Sequence, residues 1–161
     1  MNGNTAILVD RAGLGLDVLR HSGPDFNVDY ARLEAHLGLD DPCPRRHVWC
    51  LDAPPAAVSM LGRMGWEVHN LPQKRISGLI ECEMAVVALC LPEHVTRVVL
   101  VSGSGALLPL VTELYRCDVV VTIAAHRGSV AVSLRDLPGV QVVHLDNADI
   151  LAPKTRTFVT T

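Results

Sequence analysis

At 161 residues, 49% of them hydrophobic and only 19% charged, the chain is long enough for one sizeable core and too short for two ordinary domains. Its longest apolar runs stop well short of the roughly 18 residues that a membrane span needs, which predicts no membrane partner. The formal net charge of -3 gives no general attraction to nucleic acid, so any such binding must come from a local patch.

The opening Met-Asn-Gly-Asn-Thr leads straight into a strand-like run without a basic region or a small-residue cleavage site, so we expect no signal peptide. Five cysteines, scattered without a C-x-x-C pair and several of them inside apolar segments, read as free thiols packed as small hydrophobes. Both readings point to the cytoplasm.

Taken in chain order, residues 5–9 predict a strand, 14–20 and 30–37 helices, and 47–51 a second strand. A helix over 56–64, a strand over 66–71, a helix over 79–91 and a strand over 97–101 follow. The chain closes with a helix over 107–116, a strand over 119–124, a helix over 130–137 and a strand over 140–145. Strands that are mostly continuous in apolar character, alternating with helices, are the pattern of βαβ units. The expected fold is therefore α/β and three-layered, with a mainly parallel sheet of five or six strands flanked by helices. One domain over residues 1–152 with a polar tail over 153–161 is expected, and the least regular stretches are 21–27, 40–44 and 72–78.

Ligands of an open α/β sheet sit outside the carboxyl ends of its strands, where strand order reverses. That singles out Asp10, the loop Ser102-Gly103-Ser104-Gly105, and the segment after Ala124. Asp10 reads either as a functional carboxylate or as the cap of the next helix. The loop, lying between a strand and a helix, reads either as an anion site built from backbone N–H groups or as a permissive turn. Glu81 and Glu83 point in different directions on one helix, so at most one faces the cleft, and a solvated face is the alternative. The pattern around Ser104 matches the G-x-S-x-G nucleophile turn only in part, and the chain is short for that hydrolase fold. The seven histidines show no i, i+4 pair and no Cys/His cluster, which argues against zinc; His69, His126 and His144 read as ordinary polar strand ends. Lys74, Arg75 and Arg127, with Arg45 and Arg46, offer a basic rim for RNA phosphates or a set of solvated loop charges.

Read together, Ala6-Ile7-Leu8-Val9-Asp10 with Leu14, then Val28-Asp29-Tyr30-Ala31-Arg32-Leu33, Gly65-Trp66-Glu67-Val68, Leu100-Val101-Ser102-Gly103, Pro109-Leu110-Val111 and Leu145-Asp146-Asn147-Ala148-Asp149 resemble the NYN branch of the PIN-like nucleases. The likeness runs over roughly residues 5–150. It implies a PIN-like α/β fold and a divalent-metal-dependent ribonuclease or RNA-processing ancestry, with aspartates clustered at the strand ends. Such clustering suits Mg²⁺ or Mn²⁺, which take oxygen ligands and activate water against a phosphate.

Carried over residue by residue, the resemblance keeps Asp10 as the first acid and retains at most one helix acid, Glu81. Gly13 stands where the family has Asn. The family's Ser-Gly-Asp-x-Asp-Phe reads Ser102-Gly103-Ser104-Gly105-Ala106-Leu107, and residues 94–112 hold no acid at all. The resemblance therefore implies a degenerate member that needs no cofactor and binds RNA, a nucleotide or a protein partner as a regulatory or scaffold module, a homodimer included. The alternatives are a weak ribonuclease using Mg²⁺ or Mn²⁺, with Asp10 as metal ligand and Glu81 beside it, or a cleft refitted for another small-molecule reaction.

Overall fold

Strand β1 (Thr5–Asp10) is buried along its whole length, as a strand covered by helices on both faces must be. A computed structural model describes residues 4–23, 25–39, 45–72 and 77–153. In chain order, β1 leads into α1 (Arg11–Ser22), β2 (Phe26–Val28), α2 (Tyr30–His36), β3 (Arg45–Leu51), α3 (Pro55–Arg63) and β4 (Glu67–Leu71). Then come α4 (Leu79–Leu89), β5 (Arg97–Val101), a 3-10 turn (Gly105–Leu107) and α5 (Leu108–Arg116). The chain ends with β6 (Val120–Ala125), α6 (Val132–Arg135), β7 (Gln141–His144), α7 (Asn147–Ile150) and β8 (Leu151–Pro153).

Six strands form one sheet in the order β4-β3-β1-β5-β6-β7, and every pairing within it is parallel. The expected α/β architecture, with a parallel sheet flanked by helices, is what the chain adopts. Alternation along the strands splits the core in two, because successive side chains leave opposite faces. Ile7, Val9, Val99 and Val101 pack with Leu14, Leu33 and Leu61 of α1, α2 and α3. Ala6, Leu8, Val98 and Leu100 pack with Met84, Leu110 and Leu134 of α4, α5 and α6.

The chain departs from the sequence reading in four places. Helix α1 begins at Arg11, ahead of the expected start at Leu14, because the Asp10 side chain accepts from the Gly13 N–H and caps it. A second, antiparallel pair joins β2 to β8, using one stretch read as irregular and one residue, Pro153, read as tail. Helix α6 is a single turn, shorter than the 130–137 expected. Of the cysteines described, only Cys50 is buried, whereas Cys82, Cys90 and Cys117 are exposed; sitting in an apolar run did not bring them inside. Among the described residues no helix is long and apolar enough to cross a membrane.

Candidate functional site

Strand order reverses between β1 and β5, which run side by side with Val9 level with Val101. Chain leaving β1 builds one half of the sheet and chain leaving β5 the other, so their carboxyl ends part and leave a crevice. A cleft of about 290 Å³ opens there, lined among others by Asp10, Asp17, Arg20, Ser102, Ser104 and Ser129. The segment after Ala124 also contributes through Gly128. All three regions singled out from the sequence therefore meet at one place.

Asp10 is 7% exposed, and its Oδ1 accepts from the Gly13 N–H at 2.8 Å. An ideal Cβ on Gly13 would lie 2.5 Å from Asp10 Oδ2, so glycine at this position lets the carboxylate fold back onto the helix end. Burial pushes the Asp10 carboxyl above the ordinary aspartate value of 3.8; the Gly13 N–H opposes this, and the charge of Glu81 adds to it. The folded state thus binds the Asp10 proton more tightly than the unfolded chain does. This contribution to stability is complete below about pH 3.8 and is lost as pH climbs through the raised folded value.

Asp10→Asn keeps an oxygen for the Gly13 N–H and removes the buried charge. It is expected to raise the melting midpoint at neutral pH and to flatten its fall between about pH 4 and pH 7. Asp10→Ala, which also loses the cap, should lie about 1 kcal/mol below Asp10→Asn. Thermal melts of the three proteins across that range check both statements. A midpoint for Asp10→Asn below wild type at neutral pH would contradict the assignment.

Glu81 is the helix acid that reaches the cleft. It lies in the first turn of α4, and its Oε1 accepts from the Ser104 hydroxyl at 2.7 Å. Ser104 Oγ also accepts from the Ala106 N–H at 3.4 Å, while Ser102 Oγ accepts from the Ser104 N–H at 3.3 Å. A serine donating to a carboxylate is not aligned with a histidine base, so the nucleophile reading stays set aside.

The glycines of this loop do different jobs. Gly103 is pressed against the turn after β6, where an added Cβ would lie 1.9 Å from the Ser129 carbonyl oxygen. Its own carbonyl accepts from the Ala131 N–H at 2.9 Å. Gly103 is therefore a packing glycine. Gly105 opens the 3-10 turn, where an added Cβ would be tight, 3.2 Å from the Ala131 Cβ and 3.4 Å from Ser133 Oγ.

Arg45 and Arg46 of the expected basic rim lie at the amino end of β3, level with Ala6 and Ile7, away from the carboxyl edge where the cleft opens. Arg46 is held by Glu34 through Nε–Oε1 at 2.6 Å and Nη2–Oε2 at 3.1 Å, a bidentate tie between α2 and β3 that commits its guanidinium to the fold. Arg45 and Arg127 are exposed. Lys74 and Arg75 lie outside the described residues.

The cluster of acids that the family resemblance implies is not gathered in this cleft. Hard divalent cations need several oxygens converging on one point. Among the described residues, no three of the carboxylates here bring their oxygens within 4.8 Å of one another. The donors are instead turned inward, Asp10 to the α1 backbone and Glu81 to Ser104.

The comparisons agree with a fold and go no further. No family model matches the chain, and no curated protein matches it. Its structure is similar to the crystal structure of a protein of unknown function, VPA0982 from Vibrio parahaemolyticus RIMD 2210633, with a TM-score of 0.73 and 21% identity, over 94% of this chain and 97% of that one. At that identity the likeness speaks to the arrangement of strands and helices.

Two features escaped the sequence reading. A second hollow of about 630 Å³ lies between α1 and α3, with Leu16, Phe26, Tyr30 and Met60 in its mostly apolar lining. Separately, His47, Glu67 and His69 converge on the α4 side of β3 and β4. Burial holds the His47 imidazole below the ordinary histidine range, against the pull of Glu67. The available signal was a histidine at the start of the apolar run 47–51 and another beside Val68 in the next strand, but only the strand register shows that they meet.

Proposed function

We propose that the chain is a catalytically degenerate NYN-like module that binds single-stranded RNA or its nucleotides in the cleft between Asp10 and Ser104. One observation carries this reading: a cleft with polar groups opens at the reversal point of the sheet and, among the described residues, no three of its carboxylates converge. The volume suits about one nucleotide. Serine hydroxyls and carboxylates offer partners to ribose hydroxyls and base edges, and ribose recognition by an acid at this edge is a recurring use of such folds. The segments that resemble NYN proteins supply the RNA class. Keeping Asp10 buried at a cost to stability supports a role in binding over a purely structural one.

Gly128 lines the cleft and has nothing within 4 Å of an added Cβ, so Gly128→Trp should fill the cleft while leaving the fold intact. Fluorescence anisotropy with a labelled single-stranded RNA in EDTA is expected to show binding by the natural chain and at least tenfold weaker binding by Gly128→Trp, about 1.4 kcal/mol. With Mg²⁺ or Mn²⁺ added, the RNA should be degraded no faster than by Asp10→Ala. RNA binding that is absent, or indifferent to Gly128→Trp, would sink the RNA reading and leave a protein partner as the cleft's use. Metal-dependent cleavage abolished by Asp10→Ala would instead make the chain a ribonuclease.

A further inference from the structure

Parallel pairing of β3 with β4 places His47 level with Glu67, and Trp49 level with His69. Residues two apart on a strand share a face, so His47, Glu67 and His69 emerge together on the side that carries α4. There His47 Nδ1 lies 3.3 Å from His69 Nε2. The Glu67 carboxylate presents one oxygen to each ring, Oε2 at 3.5 Å from His47 Nδ1 and Oε1 at 3.8 Å from His69 Nε2.

Those separations have a chemical meaning. Zinc–nitrogen and zinc–carboxylate bonds of about 2.0–2.1 Å set neighbouring donors on a tetrahedron roughly 3.3 Å apart. The two imidazole nitrogens sit at that edge, and the Glu67 carboxylate approaches each through a different oxygen, so an ion needs the exposed carboxylate to turn one oxygen toward both rings, within a donor set that already spans no more than 4.8 Å. Two imidazoles and one carboxylate form a donor set that suits zinc and its neighbours in the first transition row.

The surroundings hold two of the donors in place. Trp49 is fully buried and stacks on the His69 ring at 4.4 Å and 9°, fixing its plane. The His47 side chain is 9% exposed and that of His69 20%, whereas that of Glu67 is 66% exposed. An ion can therefore reach the cluster from the Glu67 side, where water would complete its coordination.

We propose that His47, Glu67 and His69 form a three-ligand site for a divalent transition-metal ion such as Zn²⁺, with a fourth position open to water. The site is made by β3 and β4 and uses none of the residues of the Asp10 cleft. It stands or falls independently of the RNA reading.

The test uses the full chain, stripped with a chelator, and Zn²⁺ alone as the probe in calorimetry, with Co²⁺ replacing it to report tetrahedral coordination by visible absorption. One equivalent of metal per chain is expected. Because His47 is buried, the variants are placed at the more accessible donors: Glu67→Gln and His69→Gln. Each should weaken Zn²⁺ binding by at least the roughly tenfold that losing even an orienting neighbour of a ligand costs, and should remove the tetrahedral Co²⁺ spectrum. Circular dichroism establishes that both variants fold. Absence of metal binding by the natural chain overturns the proposal. So does binding that persists undiminished in both variants, since the ion would then be held elsewhere, for instance at the exposed thiols of Cys82, Cys90 or Cys117.

Discussion

Gly103→Ala is expected to cost the fold about 3 kcal/mol, the upper end of what a single overpacked methyl does. Its Cβ would lie 1.9 Å from the Ser129 carbonyl oxygen and 2.5 Å from the Ser129 carbonyl carbon, and neither is the movable end of a side chain. The loop after β5 and the turn after β6 must then separate, breaking the Ala131 N–H to Gly103 carbonyl bond and opening the floor of the cleft. For a chain of this size the melting midpoint should fall by roughly 6–12 °C. Gly15→Ala gives the contrast: it lies in α1 with nothing within 4 Å of an added Cβ, so the change should stabilise by about 0.5–1 kcal/mol through helix propensity alone. Thermal melts of both variants decide the matter. Equal midpoints for Gly103→Ala and the natural chain would mean that the two loops are not in contact.

Placing acids at the loop positions where the NYN pattern has them should change the chemistry of the cleft more than any deletion. Ser104→Asp with Ala106→Asp puts two new carboxylates on the loop that now donates to Glu81, on the same sheet edge as Asp10. Without metal these like charges repel, so the double variant should melt lower than the natural chain and bind phosphate no better. With Mg²⁺ the same groups converge on a cation, and affinity is expected to rise by tenfold or more, about 1.4 kcal/mol. Calorimetry with Mg²⁺, and melts with and without it, read both halves. If Mg²⁺ neither binds more tightly nor rescues the midpoint, the loop cannot be returned to a metal-holding geometry by charge alone.

The anion site anticipated for Ser102-Gly103-Ser104-Gly105 illustrates where residue types stop being informative. Part of what the sequence reading offered to a ligand, the Ser104 hydroxyl and the Ser104 N–H, has an internal partner in the folded chain. Ser104 is tied to Glu81 and to the Ala106 N–H, Ser102 to the Ser104 N–H, and Gly103 is packed against Ser129. Which acid of α4 faces the loop was likewise undecidable from a spacing of two residues. The fold chose Glu81, because α4 buries Ile80, Met84 and Ala88 against the sheet, and that turns the neighbouring position 81 toward the end of β5.

Sequence by itself determined the sheet. Runs such as 6–9 and 98–101 are apolar at every position, as a strand buried on both faces requires, and the helical stretches between them are long enough for crossovers. It also determined that Asp10 ends a strand and Ser102 follows one, and that residues 94–112 hold no acid. Tertiary structure alone decided strand order, and with it everything that depends on neighbours distant in the chain. The reversal between β1 and β5 made the cleft, while the register of β3 with β4 gathered His47, Glu67 and His69. It also paired β2 with β8 across more than a hundred residues. Hydrophobic period records which face of an element is buried, because that is a local property of the side chains. It carries no record of which element lies alongside, since any apolar strand can pair with any other until loops, helix packing and register select one arrangement.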